Sequence, residues 1–440
     1  MTAVGAVIGR ARRLSIPSDE ETDHVKAVAD AVLSKTREAA VKFPQTRGVL
    51  LGGSFAKGTW VAGHVDLDVF VRFDPSTPEG DFERIGLEIG AAATAGHPQG
   101  KKFAQHPYTE ATVDGVRVNI VPCFAVPRGG WKSAADRSPF HVELIEKLPD
   151  GQKAEVRLLK TFMNAVGVYG AEIQRQGFSG YVAEVLVLKH GSLANVLEWF
   201  GRREVGQGGR PFSLRDPVDE GRDLGIAVSG ESLGRMVLAS REFLRRPHVG
   251  FFRAMSGRAR TELRKDVVAV VFAHAKLSED TLWGELRKTS NHIARHLEVS
   301  GFKIARSMAA SDNERASAIL LVPEFTQLPK VEQRVGPTVD RERDVRAFLK
   351  ANSRRSRLVW VDDDARVRML VPRDHTRLAE LLTDVVRGSS GPVGASHELE
   401  AGMKKSAKVL QGKALLQASK SKEWLRNGIR EITTDAVGTR

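Results

Sequence analysis

A glycine-serine turn and two aspartates are the part of this sequence best suited to chemistry. Gly53 and Ser54 end a Gly-Gly-Ser turn, and Asp66 and Asp68 lie one residue apart within the otherwise apolar run Val65–Phe73. On a strand, residues i and i+2 point to the same face, so we expect the two carboxylates to lie together. Carboxylates held this close repel each other, and burying them unpaired is costly. A cation between them is therefore favoured.

Phosphoryl transfer with magnesium fits this pattern. Mg²⁺ takes carboxylate oxygens while keeping positions for water and phosphates, and metal ions can stabilise both the attacking and the leaving oxygen. Glycine lets the backbone approach a ligand closely, and amides at a helix start can bind phosphate oxygens. Ser54 adds a hydroxyl donor and Lys57 a positive charge. A Gly-Gly-Ser turn alone is usually only a turn, and an Asp-x-Asp pair alone is usually a solvated strand face. Their combination, with eleven residues between Ser54 and Asp66, favours the catalytic interpretation.

Composition narrows the class of partner. At 440 residues, the chain is expected to form two to four domains. The formal net charge of +13 favours a polyanionic partner, although a basic surface that only confers solubility is the alternative. Cys123 is the only cysteine, which excludes an intramolecular disulfide and a multi-thiolate zinc site and fits a reducing, cytoplasmic setting. We find no run of about 20 apolar residues and no secretory pattern, so we expect no membrane association, and nucleic acid becomes the favoured partner.

Local patterns predict the elements that position these residues. A capping box at Ser18–Glu21 predicts a helix to about residue 42, and strands are predicted at Arg47–Leu51 and Val65–Phe73. Asp114-Gly115 predicts a tight hairpin between strands at Ala111–Val113 and Val116–Val121, with Pro122 ending the second strand.

Helical spacing begins at about Lys153, so a mixed α/β part is expected to give way to a helical part near residue 145. Further helices are predicted at Tyr181–Phe200, Leu233–Arg245, Ser278–Val299, Asp340–Ala351 and Asp374–Val386, and a basic one at about Glu398–Ile432. Strands are predicted at Ala316–Leu321 and Leu358–Val361, a long loop at Gly201–Asp223 and a linker at Arg387–Ser396.

The Gly-Ser turn followed by two acidic residues on a strand resembles the nucleotidyltransferase superfamily of the DNA polymerase beta type. Other stretches, in order over about residues 15–385, resemble the archaeal-type (class I) CCA-adding enzymes, which are tRNA nucleotidyltransferases. These stretches are HPYTEATVDGVRVNIVPCF, KSAADRSPFH, EVRLLKTFMNAVGVYGAE, GFSGYVAEVL, RDPVDEGRDLGIAVS and RVGPTVDRERDVRAFL.

This resemblance implies an α/β (α+β) multidomain chain. Its parts would be a polymerase-beta-like nucleotidyltransferase domain at 1–145, a helical central domain for nucleotide and base recognition at 146–262, and α+β RNA-binding domains beyond. The latter would comprise a body at 263–330, a tRNA-binding tail domain at 331–390, and a basic helical segment at 391–440 that returns to the body.

The resemblance also implies roles for the residues of the opening motif. Asp66 and Asp68 match the first two metal-binding carboxylates, and the implied cofactor is Mg²⁺. Gly53, Ser54 and Lys57 match positions that bind the incoming nucleotide. The family often has arginine at the last of these, and lysine keeps the charge without the bidentate fork.

Four more residues gain a role only through the resemblance. His141, Lys160 and Tyr169 match residues that contact the phosphates and sugar of the nucleotide, and Arg222 matches the arginine implicated in reading the base edge. Without it, Lys160 and Arg222 would be interpreted as solvated side chains, Tyr169 as core packing and His141 as a helix-start residue.

Asn119 stands where the family has a third metal-site carboxylate. An amide oxygen can still bind magnesium, but it has no charge and cannot act as a base. Three explanations fit this substitution. The enzyme works with two carboxylates and an amide; a nearby acid such as Asp114 or Glu110 substitutes, although Asp114 lies at the predicted turn; or the chain binds RNA without catalysis.

The implied reaction is template-independent addition of CCA to the 3′ end of tRNA from CTP and ATP, with release of pyrophosphate. The tRNA acceptor stem and the top of the L would be recognised by shape and backbone, and a homodimer is plausible. Alternatives are a nucleotidyltransferase acting on another RNA or on a small nucleotide, and a catalytically impaired tRNA-binding paralogue. A membrane-surface role is a distant further alternative.

Overall fold

The computed structural model describes residues 3–204, 212–253, 261–390 and 393–434. Parts of the predicted loop, of the linker and of the C-terminal segment, namely 205–211, 391–392 and 435–440, lie outside the described residues. The described residues form two compact units, one before residue 254 and one from residue 261 onwards. Within the described ranges, no helix is both long and apolar enough to cross a membrane.

The first half of unit one is a five-stranded mixed sheet with flanking helices. In chain order its elements are α1 (Ala3–Ser15), α2 (Asp19–Ala40), β1 (Thr46–Gly52), α3 (Gly53–Ala56), β2 (Asp66–Phe73), α4 (Glu79–Ala93), β3 (Gln99–Phe103), β4 (Pro107–Val113) and β5 (Val116–Phe124). The strand order is β1-β2-β5-β4-β3. Strands β2 and β5 run parallel, and the other neighbours are antiparallel.

One face of this sheet is covered by α2 and α4, and this decides which side chains of β2 remain accessible. Ser18 caps α2 as predicted, because its Oγ accepts a hydrogen bond of 3.1 Å from the N–H of Glu21. Apolar residues of both helices share a core with Leu67 and Val69 of β2, which are fully buried. The period of two along the strand therefore directs Asp66 and Asp68 to the opposite face.

The predicted hairpin is confirmed, but the predicted end of its second strand is wrong. Asp114 and Gly115 both have positive φ, +48° and +81°, as an Asp-Gly turn between strands requires. Strand β5 passes through Pro122 and ends at Phe124. Pro122 lies beyond Ile120, the last residue of β5 that pairs with β4, so its missing N–H breaks no bond of that ladder.

The second half of unit one is helical. After a 3₁₀ turn at Ala134–Arg137 come α5 (Ser138–Glu146), α6 (Asp150–Val166), α7 (Gly180–His190), α8 (Leu193–Gly201) and α9 (Gly230–Arg245), followed by a second 3₁₀ turn at Val249–Phe252. The prediction of one continuous helix over Tyr181–Phe200 is wrong. Gly191 adopts a φ of +83°, and Ser192 then caps α8 by accepting a hydrogen bond from the N–H of Asn195.

Unit two contains two antiparallel sheets and several helices. Its elements are β6 (Val268–Ala273), α10 (Glu279–Val299), β7 (Ile304–Ser311), β8 (Ala316–Pro323), β9 (Val331–Thr338), α11 (Glu342–Asn352), β10 (Leu358–Val361), β11 (Arg366–Pro372), α12 (Leu378–Arg387), α13 (His397–Ser406), β12 (Lys408–Gln411), α14 (Gly412–Ser419) and α15 (Glu423–Ile432). The sheets have the strand orders β12-β6-β8-β7 and β10-β11-β9.

The prediction of a helix through residues 398–432 is wrong, because strand β12 interrupts it. The sequence Lys-Val-Leu-Gln of β12 pairs with Val268–Val271 of β6 at the edge of the four-stranded sheet. A tertiary partner that is distant in the chain thus overrides the local helical pattern.

Candidate active site

The parallel pairing of β2 with β5 places four polar side chains in two rows. Asp68 pairs with Asn119, and Asp66 pairs with Arg117. Leu67, between the two aspartates, points into the core and is fully buried. Three residues singled out from the sequence, Asp66, Asp68 and Asn119, are therefore brought together on one accessible face of the sheet.

Asn119 uses its two amide atoms differently. The side-chain Nδ2 donates a hydrogen bond of 2.9 Å to Asp68 Oδ1. The amide Oδ1 is buried and accepts no hydrogen bond from any described residue. Because a buried oxygen without a partner is costly, this atom is a ready ligand for a cation beside Asp68.

Asp68 is held in a setting that disfavours its charge. Burial raises the pKa of the Asp68 carboxyl; the hydrogen bond from Asn119 opposes this, and the nearby charge of Asp66 adds to it. Gly53 leaves room for this carboxylate. It has a φ of +65°, and a Cβ placed there would come within 2.1 Å of Asp68 Oδ2. A divalent cation bound to Asp66, Asp68 and Asn119 Oδ1 would relieve both the repulsion and the unpaired oxygen.

Arg117 is part of this site and was not predicted from the sequence. Its Nε and Nη2 donate hydrogen bonds of 2.7 Å each to the two oxygens of Asp66. This pairing, with burial opposing it, raises the pKa of the Arg117 guanidinium. Arg117 lies two residues before Asn119 on the same strand, just as Asp66 precedes Asp68. This matching spacing was the available signal, but using it required the register between β2 and β5.

Glu184 on α7 joins the two lysines that were predicted to bind phosphate. Its carboxylate oxygens lie 2.9 Å from Lys57 Nζ and 2.8 Å from Lys160 Nζ, and it accepts a hydrogen bond of 2.6 Å from Thr59 Oγ1. Burial acts to raise the pKa of Glu184, but Lys160 and Lys57 outweigh it and hold the pKa lowered at about 2. Glu184 was missed by sequence reasoning, and its signal was an acidic residue within the apolar stretch Tyr181–Leu188.

An open pocket of about 680 Å³ adjoins both clusters. Ser54, Lys57, Asp66, Asp68, Lys160 and Tyr169 all contribute to its lining. Burial raises the pKa of the Tyr169 phenol, which therefore remains a neutral hydroxyl. The backbone of α7 lies close to this hydroxyl, since a Cβ at Gly180 would approach it to 2.9 Å.

His141 and Arg222 belong to a neighbouring cluster around Asp216, and neither lines the pocket itself. The His141 ring stacks on Tyr181 with centroids 3.7 Å apart, and its Nε2 lies 3.5 Å from Asp216 Oδ2. Tyr181 donates a hydrogen bond of 2.9 Å to Asp216 Oδ1, and Arg222 donates one of 3.3 Å to Oδ2. Tyr181 lines the pocket and so connects this cluster to it, with Lys57 Nζ 5.2 Å from its ring centroid.

The protonation states of this second cluster follow from its burial and contacts. Burial lowers the pKa of His141, with the contact to Asp216 opposing the shift. Burial would raise the pKa of Asp216, but His141, the Val218 N–H and Tyr181 together lower it. A neutral imidazole beside an ionised carboxylate is the expected state at neutral pH. Asp216 and Tyr181 were not singled out from the sequence, and no local pattern around either distinguishes them.

Comparison with protein families accounts for most of the chain. Residues 33–146 match the nucleotidyltransferase domain, residues 154–253 match the second domain of tRNA nucleotidyltransferases, and residues 264–412 match the C-terminal domain of CCA-adding enzymes. The first match contains the two aspartates, Asn119 and His141, and the second contains Lys160, Glu184 and Arg222.

Individual relatives match over most of both chains. The CCA-adding enzyme of Pyrobaculum islandicum is 33% identical over 352 residues, which cover 77% of this chain and 83% of the relative. The enzyme of Archaeoglobus fulgidus is 33% identical over 369 residues, which cover 79% and 82%. The enzyme of Halobacterium salinarum is 34% identical over 362 residues, which cover 77% and 79%.

Proposed function

This chain belongs to the family of CCA-adding enzymes, and we propose that it adds C, C and A to the 3′ end of tRNA from CTP and ATP, with release of pyrophosphate. The observation that carries this proposal is the pairing of Asp66 and Asp68 with Asn119 across β2 and β5, at a pocket lined by Ser54, Lys57 and Lys160. Family membership supplies the substrate class, and the geometry supplies a site that fits the reaction.

Nucleotidyltransferases use divalent metal, and we propose Mg²⁺ here, held by Asp66, Asp68 and the free Oδ1 of Asn119. The donor set consists of oxygens, as a hard cation prefers, and one of them lacks any other partner among the described residues. When bound, the ion would stabilise the negative charge that develops on the reacting phosphate. Asn119 cannot accept a proton as a carboxylate can, so the chain supplies no base at this position.

The triphosphate would be bound beside this pair. Ser54 offers a hydroxyl at the start of α3, and Lys57 and Lys160 offer positive charges that Glu184 holds in fixed positions. Because Glu184 neutralises only one of the two lysines, a net positive charge remains to attract phosphate. Tyr169, as a neutral phenol at the pocket wall, can donate to a sugar or phosphate oxygen.

Base choice is proposed to involve the neighbouring cluster. Arg222 is 42% exposed at its side chain, so its guanidinium can reach the edge of a base while Asp216, which also contacts His141, fixes its position. Donors that fit cytosine and adenine would leave guanine and uracil with unpaired polar groups. Each unpaired group in the pocket would weaken the binding of the wrong nucleotide. Phosphates of the tRNA would complete the pocket.

The remaining proposals concern the tRNA and the assembly. Shape recognition of the acceptor stem and the top of the L would use basic regions of the second unit, namely 341–343, 350–357 and 404–408. We also propose the five-part domain division given above, a homodimer, and a cytoplasmic location. Light scattering of the purified chain with and without tRNA tests the oligomeric state.

Incorporation of labelled CTP and ATP tests the proposed function. The substrates are tRNA transcripts ending at the discriminator base, and the variants are Asp66→Ala/Asp68→Ala and Asn119→Asp. Addition of three nucleotides in the order C, C, A, abolished in the double-alanine variant, is the expected result. A longer or different tail would assign the chain to another RNA substrate.

A second candidate function is supported by Asn119 alone. A tRNA-binding protein without catalysis would tolerate the loss of a charged metal ligand, because RNA binding does not require it. This candidate predicts that the unmodified chain binds tRNA and incorporates no nucleotide at any magnesium concentration, whereas Asn119→Asp restores incorporation.

A further inference from the structure

Arg117 occupies a position in the candidate metal site that the proposed reaction does not explain. Its guanidinium engages both oxygens of Asp66, at 2.7 Å each, across the paired strands. A carboxylate whose two oxygens are held by a guanidinium has its favoured lone-pair directions occupied. An ion that approaches Asp66 along either of these directions must therefore displace a hydrogen bond from Arg117.

The charge of the site makes this arrangement consequential. Asp66, Asp68, Asn119 and Arg117 carry a net formal charge of −1, because Asn119 is neutral and Arg117 is positive. A divalent ion entering this site meets one fixed cation and two anions, one of them already paired. Arg117 and Asn119 both weaken the attraction for a metal ion, and both lie on β5 directly opposite the two aspartates.

We propose that Arg117 is a positioning residue that acts as a resident counter-ion. It pairs with Asp66 when no divalent ion is present and competes with an incoming divalent ion for that carboxylate. This inference rests on the proposed function, because it assumes that Asp66 and Asp68 are the metal ligands. It extends that function because Arg117, which is not itself a metal ligand, would set how strongly the site binds the ion.

The pair is well suited to being exchanged. The side chains of Arg117 and Asp66 are 57% and 43% exposed, and ion pairs this accessible to water contribute little stability. Arg117 also lines the same pocket as Lys57 and Lys160. A released guanidinium would therefore remain where the triphosphate is proposed to lie, and its planar fork fits phosphate oxygens.

Equilibrium binding of Mn²⁺ alone, followed by the electron paramagnetic resonance signal of the free ion, tests this inference without any turnover. The variants are Arg117→Gln, Arg117→Lys and Asp66→Asn/Asp68→Asn. Arg47→Gln is the matched control, because Arg47 pairs through Nε and Nη2 with Asp74 between β1 and the end of β2, at 3.0 and 2.6 Å, away from the site.

We expect Arg117→Gln to bind Mn²⁺ about tenfold more tightly than the unmodified chain, because a competing cation beside the ligands is removed. The Mn²⁺ affinity of Arg117→Lys should lie between that of Arg117→Gln and that of the unmodified chain, since lysine keeps the charge and loses the bidentate fork. Arg47→Gln should leave Mn²⁺ affinity unchanged. A test of tRNA binding by Arg117→Gln checks that the fold is intact.

Two failures are distinguishable. If the double asparagine variant binds Mn²⁺ as tightly as the unmodified chain, Asp66 and Asp68 are not the metal ligands, and the proposed site itself fails. If that variant loses Mn²⁺ but Arg117→Gln binds it equally or more weakly, the metal assignment stands and the role given to Arg117 is overturned.

Discussion

Asn119 lies beside Asp68 on the neighbouring parallel strand and donates a hydrogen bond of 2.9 Å to Asp68 Oδ1. The amide thus stabilises the charged form of a carboxylate whose pKa burial would otherwise raise further. A carboxylate at position 119 would repel Asp68 instead and would need a cation between the two. The amide therefore makes the site compatible with the metal-free state and reduces its attraction for metal.

Asn119→Asp should make the chain more dependent on metal and more active with it. Without divalent ions we expect the free energy of unfolding to fall by about 1–2 kcal/mol, because a stabilising hydrogen bond becomes a repulsive contact. With saturating Mg²⁺, the free energy of unfolding should return to that of the unmodified chain. Incorporation of CTP into tRNA should then be about tenfold or more faster than in the unmodified chain. Thermal unfolding with and without Mg²⁺ and initial incorporation rates are the measurements.

Asn119→Ala is the control for this prediction, since it removes the hydrogen bond without adding charge. It should destabilise the metal-free chain, gain nothing from Mg²⁺ in stability, and incorporate nucleotide more slowly than the unmodified chain. Equal activity of the alanine and aspartate variants would show that position 119 does not contribute to metal binding.

Asp68→Asn should stabilise the metal-free protein while abolishing incorporation. The pKa of Asp68 is raised in the folded state, chiefly by burial. Folding therefore favours the protonated form of Asp68. The stability that this group contributes is complete below its usual pKa of 3.8 and is lost as the pH rises through the raised folded-state pKa. A neutral amide escapes this loss. Urea unfolding at neutral pH in a chelator should show Asp68→Asn to be the more stable chain, and at about pH 3 the two should converge.

Glu184→Gln should destabilise the chain because it leaves Lys57 and Lys160 buried without a counter-charge. Removing one partner from a buried ion-pair network typically costs about 3–5 kcal/mol. Glu198→Gln is the matched control: that carboxylate is half exposed and pairs with the exposed Arg202, so its loss should cost less than about 0.5 kcal/mol. Urea denaturation at pH 7 measures both.

The pH dependence of the Glu184 effect has a defined sign. The folded-state pKa of about 2 lies below the ordinary value of 4.5, so the stabilisation is complete above pH 4.5 and disappears as the pH falls towards 2. The difference in unfolding free energy between Glu184→Gln and the unmodified chain should therefore shrink at about pH 3. A difference that is constant from pH 7 to pH 3 would contradict the ionised state of Glu184.

Local patterns predicted those parts of the site that depend on neighbouring residues. The N-cap at Ser18, the Asp114-Gly115 turn and the common face of Asp66 and Asp68 follow from preferences that act over a few residues. Resemblance to a family then added His141, Lys160 and Tyr169, which no local pattern distinguishes from ordinary surface or core residues.

Contacts between distant segments could not be predicted in this way. Arg117 meets Asp66 only because β2 and β5 pair in one particular register across fifty-one positions of sequence. Strand β12 forms because β6, more than a hundred residues earlier, offers an edge. The side-chain period on a strand fixes which face a residue occupies, but the partner strand and its register are set by the packing of the whole unit.

Gly53→Ala tests whether the close approach of the Gly-Ser turn to Asp68 is essential. Gly53 has a φ of +65°, and an added Cβ would lie 2.1 Å from Asp68 Oδ2. Gly96 is the matched control, because it has a φ of +86°, a Cβ there would meet nothing within 4 Å, and it does not line the pocket. Both substitutions incur the left-handed backbone cost of about 1 kcal/mol, but only Gly53→Ala also displaces a metal-site carboxylate.

We therefore expect Gly96→Ala to lower the free energy of unfolding by about 1 kcal/mol and to leave the incorporation of CTP nearly unchanged. Gly53→Ala should lower it by about 2–4 kcal/mol and reduce incorporation and Mn²⁺ binding together, since the displaced Asp68 oxygen is needed for both. Urea unfolding, initial rates and Mn²⁺ titration measure the three quantities. Loss of stability at Gly53 with unchanged Mn²⁺ affinity would mean that Asp68 tolerates displacement and that the turn is required only for the fold.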